Sequence, residues 1–482
     1  MPIRVHDTLS RTLKPLSPRA PGTPYRMYCC GPTVYAPAHI GNLRTFLIQD
    51  ILRRALQADG TEVLHVRNIT DVDDKTIQRS LSAGASLHAF TTRWTQKFHA
   101  DCATLNLLPP HIEPSAVAHI PLQIAMIQKL VANGHAYTTP DGSVYFKIST
   151  CPHYGQLSHL DPATLRTQAT NSAGATNQAD EYEREHITDF ALWKARKPAD
   201  GPNHWPSPWG QGRPGWHIEC SAMSTHYLGN TFDLHGGGED LCFPHHENEI
   251  AQAECATGQH GFAAHWFHSM HLLVDGKKMS KSTGNYHTLD DLLARGATPM
   301  AVRYALIAGH YRSQLNFTFN NLAAATAALV KIEKATEKLL AQNSLTRADF
   351  SPMTTPEKTT AWGAFQPAWD TLRDDLNIPG ALGKIFTILP LVTNPGRTPA
   401  QARADLSGLA NILYVLGINL FTTNATPDTT IPDSIARLGE RRWHAKQSRD
   451  FATADILRNE LAQLGWQSID HKDGYTLTPV GT

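Results

Sequence analysis

Apolar positions near the start of the chain switch between two periods. Tyr25 to Tyr35 (YRMYCCGPTVY) reads as an apolar strand running into a Gly-Pro turn. From His39, the apolar residues Leu43, Phe46, Leu47 and Ile51 recur at helical spacing until Gly60 stops the pattern. Glu62 to Thr70 returns to strand alternation, with Val63, His65 and Arg67 against Leu64, Val66 and Asn68. Strand, turn, helix and strand form a βαβ unit, which predicts an α/β domain with parallel strands. Further on, 110–135 reads as helix and 136–160 as a hairpin around Asp141-Gly142. Asp161 to Asp180 has little apolar periodicity and reads as a surface insertion. Trp205 to Trp216 (WPSPWGQGRPGW) suits a rigid irregular loop. The α/β pattern resumes with a short strand, Thr231 to His235, ended by three glycines, and a helix from near Pro244.

From about Asn320 the texture changes to amphipathic helix, which continues to about Leu420. A Thr/Pro-rich stretch, Phe421 to Pro432, precedes a last piece with a basic helix and a hairpin around Asp473-Gly474. The expected divisions are 1–285 with an insertion at about 110–205, a linking region 286–320, a helical bundle 321–420 and a small module 433–482.

A length of 482 residues is compatible with about three domains. Lys+Arg and Asp+Glu are both 43, so the net charge is zero and any polyanionic partner must be met by local positive charge. Histidine is in excess, 25 in all, which invites a search for metal or proton-transfer sites even though most read as surface residues. Seven cysteines form an odd, sparse set that points to a reducing compartment. Met1 to Lys14 lacks the apolar core of a signal peptide, and no run approaches the ~18 apolar residues of a membrane span, so a cytoplasmic protein without membrane attachment is expected.

Reactive side chains gather at the element ends. His245 and Glu249 stand at i and i+4, which share a face on a helix. Cys30 ends the first strand and Cys220 follows the Trp-rich loop, both where an α/β sheet has its functional edge. Thiolate, imidazole and carboxylate are zinc donors, and four of them close a tetrahedron. By spacing alone, the two cysteines also read as small buried hydrophobes and His245–Glu249 as an exposed pair. Cys29, Cys102, Cys151, Cys242 and Cys255 read as structural. Pro37 to Asn42 (PAHIGN) opens the first helix, where free N–H groups and the helix dipole favour phosphate. His39 and Asn42 add donors there, or act simply as a cap. Gly276 to Asn285 (GKKMSKSTGN) is a cationic loop bounded by glycines. It suits clamping a polyphosphate, or a solvated basic face. There is no G-x-x-x-x-G-K-[ST] loop, against a P-loop nucleotidase.

Taken together, His39-Ile40-Gly41-Asn42 and Lys278-Met279-Ser280-Lys281-Ser282 resemble the HIGH and KMSKS signatures of class I aminoacyl-tRNA synthetases. CCGPTVY at 29–35, VRNITDVDDK at 66–75, GRPGWHIECSAM at 212–223, HGGGEDLCFPHHENEIAQ at 235–252 and GHYRSQLNF at 309–317 narrow the resemblance to the cysteinyl-tRNA synthetase family. It covers nearly the whole chain and is weakest over 161–180 and 340–430.

The resemblance implies a Rossmann-like catalytic domain over 1–285, a region 286–320 that contacts the tRNA stem, a helical tRNA-binding bundle and a C-terminal anticodon-binding module. It implies ATP-dependent ligation of L-cysteine to tRNA(Cys) through a cysteinyl-adenylate. One zinc ion on Cys30, Cys220, His245 and Glu249 would select the substrate thiolate, and Mg2+ would accompany ATP. Catalysis would fall to His39, Asn42, Lys278 and Lys281, and ATP binding to Thr33, His39, Asn42, Gly238 and Lys281. Thr70, Trp216, His235 and Asp240 would line the cysteine pocket. Arg312, Arg441, Arg442, Trp443 and Lys446 would meet tRNA. Asn42 departs from the signature's second histidine; it keeps a donor but cannot carry charge. A monomer is expected. The alternatives are a related ligase joining cysteine to a small-molecule amine, for which 320–482 would be superfluous, and a non-enzymatic zinc and nucleic-acid-binding relative, which the intact motif residues oppose.

Overall fold

The computed structural model describes residues 2–159, 189–279, 284–350, 362–394, 396–421, 433–448, 450–463, 466–471 and 474–479. The expected insertion over 161–180, Ser280, Lys281 and Ser282 lie outside the described residues. The chain forms two compact units, Met1–Leu420 and Phe421–Thr482.

The first unit is built around a four-stranded parallel sheet of β1 (Tyr25–Cys29), β2 (Val63–Arg67), β3 (Phe232–Gly238) and β4 (Ala263–Ser269), in the order β4-β3-β1-β2. Helix α1 (Ile40–Ala58) joins β1 to β2, α2 (Trp216–Leu228) leads into β3, and α3 (Glu247–Thr257) joins β3 to β4. The strands are almost wholly buried, as in parallel sheets covered on both faces. From β1 the chain moves to β2 on one side and later to β3 on the other. Loops leaving β1 and β3 therefore diverge, opening a crevice at the strands' carboxyl ends. The Rossmann-like α/β expectation is met.

Three local expectations change. The strand expected to stop at His235 continues through the glycines, Gly236, Gly237 and Gly238 pairing with Phe267, His268 and Ser269. The helix expected near Pro244 starts at Glu247, after an irregular turn in which Phe243 is extended (φ −136, ψ 133). A residue before proline is disfavoured in the helical region, which accounts for the delay. Within 110–135 the helix is confined to Ile120–Ala132, because Ile112 and Ser115 instead bridge to Val66 and Ile69. The hairpin at Asp141-Gly142 forms between Ala136–Thr138 and Val144–Phe146. Phe190–Ala195 and Gly212–Pro214 extend it to a four-stranded antiparallel sheet, so part of the Trp-rich loop is regular strand.

The helices between Pro299 and Leu416 belong to the same unit as the sheet. Asp50 of α1 is buried, accepting from Arg54 Nε (2.8 Å), Arg303 Nη2 (2.6 Å) and the Leu108 N–H (2.9 Å). Arg303 also donates to the carbonyls of Leu416 and Leu105, both at 2.7 Å. One carboxylate thus fixes α1 to the helix Pro299–Ile307, and through it to the end of Pro399–Leu416.

The second unit pairs helices Asp433–Gln447 and Phe451–Gln463 with an antiparallel hairpin, Trp466–His471 and Gly474–Pro479. Ile435, Leu438, Leu457, Leu461 and Leu477 form its apolar centre. Among the described residues, no helix is long and apolar enough to cross a membrane.

Candidate active site and metal centre

The crevice holds a cavity of about 570 Å³, lined by Cys30 and Thr33 after β1, His39 and Asn42 at the start of α1, Trp216 of α2, Gly238 at the end of β3 and Asp240 beyond it. His39 caps α1. Its Nδ1 accepts from the Asn42 N–H (3.1 Å), while Asn42 Oδ1 accepts from the His39 N–H (3.3 Å). The cap therefore exists, and it leaves the Asn42 amide N–H groups and His39 Nε2 uncommitted to it. Burial lowers the His39 pKa, with Asp240 opposing, so the ring is neutral and its proton sits on Nε2. Thr33 is held by a bridge to Thr70.

Behind the cavity, α2 and the turn into α3 converge on the end of β1. Cys30 Sγ lies 3.8 Å from Cys220 Sγ and 3.6 Å from Glu249 Oε1, and His245 Nε2 lies 3.1 Å from the same oxygen. The four donors predicted for zinc thus come together, all buried and within 4.8 Å of one another. A second overlapping set is Cys30, His235, His246 and Glu249. Glu249 accepts from His235 Nε2 (2.8 Å), and His246 Nε2 lies 3.4 Å from Cys30.

The donor set fits a metal on physical grounds. Burial pushes the Glu249 carboxyl and the Cys30 thiol well above their ordinary ranges and holds His245 and His246 far below theirs. Among the described residues, the side chains that contact Glu249 are imidazoles and a thiol, none a permanent cation. Ionising a carboxylate and thiols in such a place is costly without a compensating positive charge, which a divalent ion supplies.

Around this set stand residues that spacing did not reveal. His217 Nδ1 is 2.9 Å from His245 Nδ1. His246 Nδ1 is 2.8 Å from His268 Nε2, whose Nδ1 is 2.7 Å from Thr8 Oγ1. The histidine excess was their one signal: part of it is this buried cluster, not surface. Thr70 Oγ1 donates to Glu219 Oε2 (3.0 Å) and accepts from Asn68 Nδ2 (3.1 Å). Trp216 stacks on His245 at 4.3 Å between centroids, is 39% exposed and lines the cavity together with Cys30. Lys75 and Arg79 also line the cavity, over the Tyr35 ring.

The other expected residues are placed unevenly. Thr70 and His235 lie behind the cavity lining, whereas Asp240 is exposed and acts electrostatically on His39. Lys278 is exposed on a short strand, and Met279 beyond it reaches α1. Arg312 Nε donates to Asp375 (2.8 Å). In the C-terminal unit, Arg442 is buried and donates to Asp470 (2.7 and 2.8 Å) and Ser468 (2.8 Å), and Lys446 also donates to Asp470 (2.6 Å). Arg441 is exposed and Trp443 half-buried.

Comparison with known proteins bears on the same segments. Residues 19–327 match the family described as tRNA synthetases class I (C) catalytic domain. The chain is 51% identical to a cysteine–tRNA ligase of Opitutus terrae over the full length of both. It is 42% identical to one of Brachyspira hyodysenteriae over 93% of each chain. Among solved structures it resembles a Mycobacterium tuberculosis methionyl-tRNA synthetase with methionyl-adenylate (TM-score 0.56, 16% identity, 82% of this chain and 90% of that one). An Agrobacterium radiobacter leucyl-tRNA synthetase complex aligns with TM-score 0.57 at 11% identity over 83% and 84% of the chains. At such identities the structural matches speak to fold alone.

Proposed function

Because the chain belongs to the cysteine–tRNA ligase family of class I aminoacyl-tRNA synthetases, we propose that it activates L-cysteine with ATP and transfers it to tRNA(Cys). The observation that carries this reading is the buried Cys30, Cys220, His245 and Glu249 set, directly behind a cavity whose mouth is a helix N-terminus. Two sulfurs, one nitrogen and one oxygen suit zinc, which is the ion assigned here. A bound zinc ion supplies a soft Lewis-acid contact that favours a thiolate over a neutral hydroxyl and so separates cysteine from serine. His235 and His246 orient Glu249 and Cys30 from outside that set.

In the first step the cysteine carboxylate attacks the α-phosphorus of ATP, the bond to the β-phosphate oxygen breaks, and pyrophosphate leaves. His39 Nε2–H and the Asn42 amide N–H groups bind the phosphates beside the helix end. Neither needs charge, so asparagine at position 42 is compatible with activity. Lys278 and Lys281 neutralise the leaving pyrophosphate, with Mg2+ accompanying ATP. Thr33 and Gly238 flank the nucleotide, while Thr70, Trp216, His235 and Asp240 shape the amino-acid end. In the second step a terminal ribose hydroxyl of tRNA attacks the adenylate carbonyl and AMP leaves.

The tRNA body is assigned to a stem-contact region 286–320 that carries Arg312, a helical region 321–420 and a module 433–482. With Arg442 and Lys446 paired to Asp470, the exposed Arg441 and neighbouring Trp443 are the first contacts in that module. The protein acts as a cytoplasmic monomer in this proposal. Cysteine-dependent ATP–pyrophosphate exchange followed by tRNA charging tests the reading. Both should occur; exchange without charging would point to a small-molecule acceptor, and no exchange would overturn the ligase assignment.

A further inference from the structure

Cys30 follows β1 and Cys220 lies on α2, yet their sulfurs stand 3.8 Å apart. Two sulfurs at about 2.3 Å from one zinc ion, at the tetrahedral angle, would stand about 3.8 Å apart as well. The chain's own contacts therefore already set the spacing a metal requires. A buried polar run joins the same two elements beside these cysteines. Gly31, next to Cys30, donates its N–H to Asn68 Oδ1 (2.9 Å). Asn68 Nδ2 donates to Thr70 Oγ1 (3.1 Å), and Thr70 Oγ1 donates to Oε2 of Glu219 (3.0 Å), the residue before Cys220.

The direction of this run is fixed by donor counting. A hydroxyl has one proton, and Thr70 gives it to Glu219, so toward Asn68 it can only accept. Asn68 must then turn its amide nitrogen to Thr70 and its carbonyl to Gly31, the one orientation in which all three bonds form. Asn68, Thr70 and Glu219 are all buried, so a broken link leaves polar groups without water to replace it. The backbone reinforces the contact. Thr70 donates its N–H to the Pro32 carbonyl and accepts from the Val34 N–H, both at 3.1 Å. A Cβ on Gly31 would stand 1.6 Å from the Asn68 carbonyl oxygen, so the turn carrying Cys30 presses directly on this segment.

We propose that Asn68 is a positioning residue for the metal centre: through Thr70 and Glu219 it fixes the turn after β1 against α2, and with it the separation of the Cys30 and Cys220 sulfurs. It donates no ligand itself. Its effect on cysteine selection passes through the two thiolates, whose spacing decides how much room the ion keeps for a substrate sulfur. Residues that orient metal ligands from outside the donor set act in this way. The proposal rests on the zinc assignment made above and deepens it.

The test uses the full-length protein in zinc-loaded and cobalt-exchanged forms. The thiolate-to-cobalt charge-transfer band reports the sulfur geometry, and chelator competition reports zinc affinity. Asn68→Ala should shift the band and weaken zinc binding about 10- to 100-fold. In pyrophosphate exchange its KM for cysteine should rise while its KM for ATP stays unchanged. Thr70→Val, which removes the hydroxyl at nearly constant shape, should reproduce the spectral shift and the weaker zinc binding. Thr70→Ser, which keeps the hydroxyl, should retain the unsubstituted spectrum and affinity. An unchanged band and affinity in Asn68→Ala, or KM values for cysteine and ATP rising together, would overturn the positioning role. If Asn68→Ala fails to fold, the contrast between Thr70→Val and Thr70→Ser decides by the same readouts. Absence of zinc binding by the unsubstituted protein would instead overturn the metal assignment, and the positioning role with it.

Discussion

The terminal methyl of Met279 occupies the space beside Gly41: a Cβ built on Gly41 would stand 2.6 Å from Met279 Cε and 3.0 Å from His39 Cε1. The two signature segments, far apart in sequence, therefore meet through a glycine.

Gly41→Ala should displace Met279 and its loop with little effect on overall stability, because the first atom met ends a flexible side chain. Misplacement on the scale of an ångström costs on the order of 100-fold in rate. A drop of about 10- to 100-fold in cysteine-dependent pyrophosphate exchange, at an unchanged melting temperature, is the expected result. Unchanged exchange would show that Met279 does not position the loop.

Cys220→Ser replaces a soft donor by a hydroxyl in a fully buried set. Zinc content, measured by atomic absorption after dialysis, and cysteine activation should fall together. Retention of both would remove Cys220 from the metal set.

Asp50→Asn should destabilise the first unit by about 3–5 kcal/mol, since Arg54 and Arg303 are left buried with one fewer countercharge. Urea denaturation followed by tryptophan fluorescence reads the change. A loss under 1 kcal/mol would show that the carbonyl partners of Arg303 suffice.

Asp7 gives the fold a pH dependence. Its burial raises the pKa, but Lys14, Ser10 and the Trp266 N–H outweigh that and bring it from 3.8 to about 2. A carboxyl lowered on folding stabilises above its unfolded pKa, and that stability fades as pH falls through the folded one. The shift corresponds to about 2 kcal/mol. Asp7→Asn should therefore be less stable by about 2 kcal/mol at pH 6, with the deficit shrinking below pH 4. A deficit constant with pH would contradict the linkage.

In the C-terminal unit, Arg441→Ala should lower tRNA charging about tenfold while exchange is unchanged, the signature of a lost contact to the nucleic acid. Arg442→Ala should instead lower the melting temperature of the unit, since its guanidinium is tied to Asp470. The reverse pattern would exchange their roles.

Much of this was legible in the chain. The βαβ unit and the cap at His39 and Asn42 are local, written in residues a few positions apart. Cys30, Cys220, His245 and Glu249 could be nominated by their chemistry, but only the fold brings β1, α2 and α3 together. His217, His246 and His268 were not identified, because a buried imidazole has no periodicity of its own; its meaning comes from the ring it meets. The late start of α3 escaped for a related reason. His245 and Glu249 keep the contact expected at i and i+4 although Pro244 delays the helix, so spacing predicted the contact and mislocated the helix start. The pairing of Arg442 and Lys446 with Asp470 was equally hidden, since a basic helix reads the same whether its charges face a partner or a neighbouring strand.

The run Gly236–Gly238 acts by what it omits. A Cβ on Gly237 would come within 2.9 Å of both His246 Cε1 and Leu241 Cδ1. Even alanine there would crowd the imidazole that approaches Cys30. The sulfur centre thus depends on a residue that donates nothing to it and holds no charge. A search for donors would pass it over, while a survey of tolerated substitutions should find Gly237 among the least replaceable positions in the chain.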